Sequence, residues 1–194
     1  GIALDDRLVE QLTRAERIRS ITVSIDGATA EANDPVRGGN TFDRIVAGAR
    51  RLRADYPFAV HLRMTLTRPA IGSLTQVPRL MADTGITSLK VNRCNPYGRA
   101  AQRPDLVPSP SEYEAAAALL RSLAGRHGFT LEVPSHKYTV ERDGTSGLCR
   151  AGEETAEIDG DGSVYPCSFS WGRFRVGNLH EMPVADAFLA LQEH

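Results

Sequence analysis

Ile21-Thr-Val-Ser-Ile-Asp-Gly27 decides the fold. Ile21, Val23 and Ile25 alternate with Thr22, Ser24 and Asp26, the period-two pattern of a strand with one apolar and one polar face. Gly27 breaks the strand, and a polar loop is expected from there to Asn40. Two later runs repeat the pattern. Phe58 to Thr67 sets Val60, Leu62, Met64 and Leu66 against His61, Arg63, Thr65 and Thr67, and Ser88 to Cys94 places Lys90, Asn92 and Cys94 on its polar side. Thr130 to Ser135 reads as a fourth strand.

Helical periodicity fills the intervals. Asp5 or Asp6 caps a first helix carrying Leu8, Leu12 and Ala15, down to about Arg17. Thr41 caps a second, with Phe42, Ile45, Val46, Ala49 and Leu52 on one face. A short helix from Leu74 to Asp83 closes at Gly85. Asn95-Pro-Tyr-Gly98 turns the chain out of the third strand, and Arg99 to Pro110, with three prolines, reads as a surface loop. Ser111-Glu-Tyr-Glu114 fits a capping box, and the alanine-rich helix behind it runs to about Gly125.

Helix and strand alternate at about thirty residues per unit, which argues for parallel strands with helical crossovers, hence an α/β fold. Strands covered on both faces would be almost uniformly apolar. The polar face points instead to a barrel with helices outside and a wet lumen, and Ser24, Asp26, Thr67 and Cys94 fall at the C-terminal strand ends where barrel enzymes place their chemistry. A sheet with one plainly solvated face gives the same alternation, and periodicity alone leaves both open.

The chain has 194 residues, enough for one main domain and a small appendage. A formal net charge of −1 with 24% charged residues gives no basic excess that would suggest nucleic acid as a partner. No apolar run is long enough to span a membrane. The N-terminus has no initiator Met and no signal-peptide profile, which suggests a chain that begins inside a larger protein. The expected location is the cytoplasm.

Two of the three cysteines bracket an expected hairpin. In Cys149-Arg-Ala-Gly-Glu-Glu-Thr-Ala-Glu-Ile-Asp-Gly-Asp-Gly-Ser-Val-Tyr-Pro-Cys167, Thr155 to Ile158 is one strand, Asp161-Gly162 the turn and Ser163 to Tyr165 the return. The hairpin brings both thiols to the same end. A disulfide, or half of a zinc site completed by His136 and His180, competes with an iron-sulfur role. Arg142-Asp-Gly-Thr-Ser-Gly147 is a turn-rich joint, and the domain boundary is expected there, dividing 1–141 from 142–194. After the hairpin come Phe174 to Leu179 and a helix from about Pro183 with Val184, Ala187, Phe188 and Leu191 inward. Trp171, Phe169 and Phe174 are expected to pack the small domain. Cys94 reads more readily as a buried small residue than as a substrate contact. His61, Arg63 and Glu132 either line a cavity or form a polar network.

These stretches together resemble the radical S-adenosylmethionine (SAM) enzymes. Ile21 to Gly27, followed by Asn33-Asp-Pro-Val-Arg37-Gly-Gly-Asn-Thr-Phe42, is similar to the family's fourth strand and the loop after it; Asn95-Pro-Tyr-Gly98-Arg99-Ala is similar to the loop after its sixth. The spaced Cys149 and Cys167, then Gly177-Asn178-Leu179 and the Pro183 helix, resemble the SPASM or twitch auxiliary iron-sulfur domain.

The resemblance implies a partial (β/α) barrel followed by an incomplete auxiliary-cluster domain. It implies SAM contacts from Ser24, Asp26, Arg37 and Asn92, and auxiliary-cluster ligation by Cys149 and Cys167. The implied reaction is reductive cleavage of SAM by a [4Fe-4S] cluster, giving a 5'-deoxyadenosyl radical that abstracts hydrogen from substrate. That substrate is expected to be a peptide or protein side chain, with small-molecule or tetrapyrrole cofactor biosynthesis as the alternative, and a ferredoxin or flavodoxin as reductant. The family's C-x3-C-x2-C triad, which holds the SAM-cleaving cluster, is absent from these residues. The chain therefore reads as part of a longer enzyme, short of about three barrel strands and of further cluster ligands. A degenerate barrel that binds SAM, a metal or a partner without catalysis is the rival, and a barrel acting on a phosphorylated metabolite, with a faint phosphate loop at Arg37-Gly-Gly-Asn-Thr41, is a third reading.

Overall fold

The computed structural model describes residues 6–14, 18–56, 59–96, 98–133, 151–153, 155–168, 170 and 174–192. The chain forms two compact units, 1–134 and 135–194. The joint expected at 142–147 lies outside the described residues.

In the first unit the alternating runs form β1 (Ser20–Ser24), β2 (Ala59–Leu66), β3 (Ser88–Arg93) and β4 (Thr130–Glu132). All pairs are parallel and the spatial order follows the chain order, β1-β2-β3-β4. A sheet wound in one direction with right-handed crossovers collects its helices on one side, as in a (β/α) barrel, whereas a doubly wound sheet would reverse its order. The core confirms the sidedness. Val23, Ile25, Val60, Leu62, Met64, Leu66, Leu89 and Val91 are buried with residues of the crossover helices, while His61, Arg63, Thr65, Lys90 and Asn92 are not buried. The described residues form a partial barrel and do not close it.

The helices are α1 (Asp6–Thr13), α2 (Ala30–Arg37), α3 (Phe42–Asp55), α4 (Arg68–Gly72), α5 (Val77–Thr84) and α6 (Pro110–His127). In α1 the buried residue is Val9, with Leu12 packed on the core; Ala15 and Arg17 lie outside the described residues. The polar loop expected from Gly27 to Asn40 is a correction, because α2 occupies most of it. Pro35 sits inside α2, where its missing N–H breaks only one bond of a two-turn helix, and the Gly38 N–H closes the end on the Asp34 carbonyl at 2.9 Å. Thr41 stands at the N-cap of α3, but its side chain does not bond the helix. Asp34 does so from α2, with Oδ1 accepting the N–H groups of Thr41 at 3.3 Å and Phe42 at 2.9 Å.

The capping box of α6 lies two residues earlier than expected. Ser109 Oγ accepts the Glu112 N–H at 3.2 Å and Glu112 Oε2 accepts the Ser109 N–H at 2.6 Å. This helix continues past Gly125 to His127, ending on Gly128 at φ 72°. The expected surface loop before it contains two 3₁₀ turns, Gly98–Gln102 and Pro104–Leu106.

The second unit holds β5 (Glu157–Ile158), β6 (Ser163–Tyr165), β7 (Gly177–Asn178) and α7 (Val184–Gln192). The antiparallel hairpin turns at Gly162, whose φ of 82° favours glycine and whose missing Cβ would lie 2.9 Å from Asn178 Oδ1. β7 adds to the other side of β6. The core is Val164, Ala187 and Leu191, with Ala156, Val176, Leu179 and Met182 against it. Val184 and Phe188, expected inward, are 53% and 44% exposed; Ala187 and Leu191 define the buried stripe of α7 and those two fall beside it. Phe174 is also exposed rather than packed, while Trp171 and Phe169 lie outside the described residues.

Candidate functional site

Register aligns the polar face of the sheet into rows. Thr22, His61 and Ser88 share one, with His61 Nδ1 and Ser88 Oγ 2.8 Å apart. Ser24, Arg63, Lys90 and Glu132 share the next, nearer the C-terminal ends. Lys90 Nζ pairs with Glu132 Oε2 at 3.2 Å. Thr65 and Asn92 are partners in the row above, where Asp26 also stands.

Asp26 is 7% exposed and does backbone work. The main-chain ladder between β1 and β2 continues through the Ile25 N–H to the Arg63 carbonyl at 2.8 Å, and then β1 turns away. Asp26 Oδ1 accepts the next N–H, that of Thr65, at 2.9 Å. Oδ2 takes the guanidinium of Arg37, with Nη1 at 2.7 Å. The carboxylate and the cation expected to meet different parts of SAM therefore meet each other. The fully buried Asn33 fixes the loop, accepting the Asp26 N–H at 3.0 Å and donating to Asp34 at 2.9 Å and Thr41 at 3.1 Å. Gly27 admits this packing, since a Cβ there would lie 2.6 Å from the backbone of Ala32 and Asn33. The Ser73 hydroxyl, accepting the Ala28 N–H at 2.9 Å, ties this loop to the one after β2.

The remaining strand ends divide between structure and open chemistry. Thr67 caps α4, accepting the Ala70 N–H at 3.3 Å. Cys94 is buried, and burial pushes its thiol pKa up, with the Asp26 carboxylate adding to the effect. It is therefore a poor nucleophile. Ser24 is half-buried and Asn92 exposed, and neither side chain has a hydrogen-bond partner among the described residues, so both offer free polar groups. The Arg37-Gly-Gly-Asn-Thr41 phosphate loop does not stand, because Asp34 already fills the N-terminus of α3 with an anion.

Cys167 is a half-buried free thiol in a turn held by Ser170, whose hydroxyl donates to the Cys167 carbonyl at 2.6 Å while its Oγ accepts the Cys167 N–H at 3.2 Å. Cys149 and His136 lie outside the described residues. His180 lies at the Gly162 turn, its N–H on Asn178 Oδ1 at 2.8 Å. Among the described residues no group of three or more His, Cys, Asp or Glu could hold a metal ion. Of the two expected thiols, Cys167 is the one among the described residues, half-buried and held in its turn by Ser170.

Sequence reasoning missed Asn33, Ser73 and the Lys90–Glu132 pair. The last was within reach, because once the three strands are placed in parallel their polar positions fall into common rows.

Residues 133–189 match SPASM, an iron-sulfur cluster-binding domain. The chain is 28% identical over 208 residues to an AdoMet-dependent heme synthase of Methanosarcina barkeri, an alignment covering 94% of this chain and 56% of that protein. It is 29% identical over 184 residues to the mycofactocin maturase MftC of Mycobacterium tuberculosis, covering 92% and 46% respectively. The fold superposes on Streptococcus suis SuiB bound to the precursor peptide SuiA with a TM-score of 0.73 at 12% identity, covering 95% of this chain and 45% of that one. The chain spans about half the length of the curated relatives it matches. Residues 133–189 thus carry the SPASM match, and over most of its length the chain is similar to radical SAM proteins, with whose fold its singly wound sheet agrees.

Proposed function

We propose that this chain is part of a radical SAM enzyme that modifies a peptide or protein side chain. The observation that carries the reading is the open polar face of the β1–β4 sheet, joined in one chain to the SPASM domain. MftC is a maturase and SuiB is seen with a precursor peptide, which supports the peptide over other substrates. SAM with a reduced [4Fe-4S] cluster would supply hydrogen-atom abstraction; the C-x3-C-x2-C triad that would hold that cluster is not among these residues and would come from the rest of the enzyme, with a ferredoxin or flavodoxin as the electron donor.

In this reading Ser24 and Asn92 donate and accept hydrogen bonds to the polar parts of SAM. The Asp26–Arg37 pair forms the wall of the SAM site and holds the end of β1 rigid. Arg37 keeps its second terminal nitrogen for the SAM carboxylate. The apolar face and helices exclude water from behind the sheet. Cys149 and Cys167 ligate the auxiliary cluster, for which two thiolates are half of the usual four.

The test uses the full-length protein, reconstituted with iron and sulfide under anaerobic conditions. Dithionite and SAM are expected to give 5'-deoxyadenosine, and Cys149→Ala and Cys167→Ala to lower iron and sulfide content. Absence of 5'-deoxyadenosine, with iron unaffected by both substitutions, would leave the binding-only barrel as the better account. The heme synthase relative supports a second reading, a tetrapyrrole substrate. A shift of a tetrapyrrole's Soret band on titration with the protein, saturating at a fixed stoichiometry, would favour it.

A further inference from the structure

The middle row of the polar face holds two cations side by side. Arg63 on β2 and Lys90 on β3 are partners in register, so their backbones lie about 5 Å apart and their side chains leave the same face. Glu132 answers Lys90 from the far side. Arg63 is exposed and makes no hydrogen bond or ion pair among the described residues. The neighbouring rows offer it no charge: His61 is bonded to Ser88, and the Asp26 carboxylate is filled by Arg37 and the Thr65 N–H. Like charges directly opposite on adjacent strands are destabilising, and an anion between them turns that repulsion into attraction.

Arg63 also lies inside the sheet rather than at its rim, with Met64, Thr65 and Leu66 still to follow in β2. An anion that reaches it sits on the polar face of the sheet, between strands with neighbours on both sides. The planar guanidinium fork matches a carboxylate in bidentate fashion, while the ammonium of Lys90 adds a point charge. Ser24, the partner of Arg63 on β1 and a proposed SAM contact, stands on the other side, so the cations lie beside the SAM site.

We infer that Arg63 and Lys90 form a carboxylate subsite for the substrate, which selects a substrate bearing a side-chain or terminal carboxylate near the reacting position. This rests on the radical SAM peptide reading and adds to it the charge of the substrate. Arg63 is a specificity-determining residue, and Glu132 sets the position of Lys90.

The experiment is ligand-observed saturation-transfer NMR on the reconstituted full-length protein with four probes. N-acetylglutamine carries a terminal carboxylate, N-acetylglutamate α-amide a side-chain carboxylate, N-acetylglutamine amide neither, and SAM its own. One or both of the first two should bind about tenfold more tightly than the neutral diamide, the worth of a charge-assisted hydrogen bond, and which of them does so identifies the source. Arg63→Gln and Lys90→Gln should each erase the preference while leaving SAM affinity within about twofold of the wild type. Equal binding of acids and diamide would overturn the subsite, as would a loss of SAM affinity in Arg63→Gln matching the loss for the acids, which would assign the cations to SAM. Formation of 5'-deoxyadenosine is scored separately, so its absence would count against the radical reading while the carboxylate preference stands or falls on binding.

Discussion

Asp26 and Arg37 show how a residue with an expected ligand role can be bound up in structure. Removing the guanidinium leaves a buried carboxylate with the Thr65 N–H as its remaining partner. Breaking a fully buried pair costs about 3–5 kcal/mol; with the Arg37 side chain 24% exposed, water recovers part of it and about 2 kcal/mol is expected. Urea unfolding of Arg37→Gln should report that loss, and an unchanged midpoint would show that the pair carries no stability. Asp34 makes a different prediction. Its hydrogen bond from Asn33, helped by those from Thr41 and Phe42, holds its carboxyl below the usual range. The unfolded chain therefore binds this proton at higher pH than the folded one, so the stabilisation is complete above the unfolded value of about 3.9 and is lost as pH falls through the lower folded value. Thermal melts should separate wild type and Asp34→Asn clearly at neutral pH and bring them together in acid. A gap that does not narrow would place the effect of Asp34 in shape rather than charge.

The strands were legible in the sequence because alternation depends only on which side faces the core. The Val60 to Leu66 series and the turn at Gly162 needed no knowledge of the rest of the chain. What was not legible involved partners from elsewhere. Helix α2 was hidden by Pro35 and by polar residues whose bonding targets, the Asp26 N–H, Thr41 and the start of α3, lie outside the helix. The N-terminus of α3 was assigned to Thr41 because caps are read locally, whereas the cap arrives from Asp34. In α6 the motif itself was right and the register was wrong. Ser109 and Ser111 each precede a glutamate by three residues, and Pro110 decides between them, since it suits the first turn and lacks the N–H that a later position would use. Ser109→Ala should therefore cost about 1 kcal/mol in chemical unfolding and Ser111→Ala close to nothing; the reverse order would restore the later box.

The two units differ in how much of their stability their own packing supplies. The first buries residues from four strands and the crossover helices in one continuous core, at about 1.5–3 kcal/mol for each large apolar side chain taken from water. In the second, the described core is Val164, Ala187 and Leu191 with a few half-buried neighbours, around strands of two or three residues, and Phe174, Val184, Phe188 and Leu189 stay exposed. Among the 37 described residues of this unit, so small a core offsets little of the conformational entropy of ordering them. Metal-ligand bonds make up such a deficit in small domains, because a site assembled only in the folded state converts binding free energy into folding free energy. Hydrogen exchange along a urea series on the full-length protein, with and without its iron, should show this directly. Removing iron should lower the midpoint for residues 151–192 and leave β1 to β4 where they were. If both units shift together, the cluster stabilises the chain as a whole; if neither shifts, the hairpin and α7 hold without it, and the argument that Cys167 ligates a cluster loses its energetic basis.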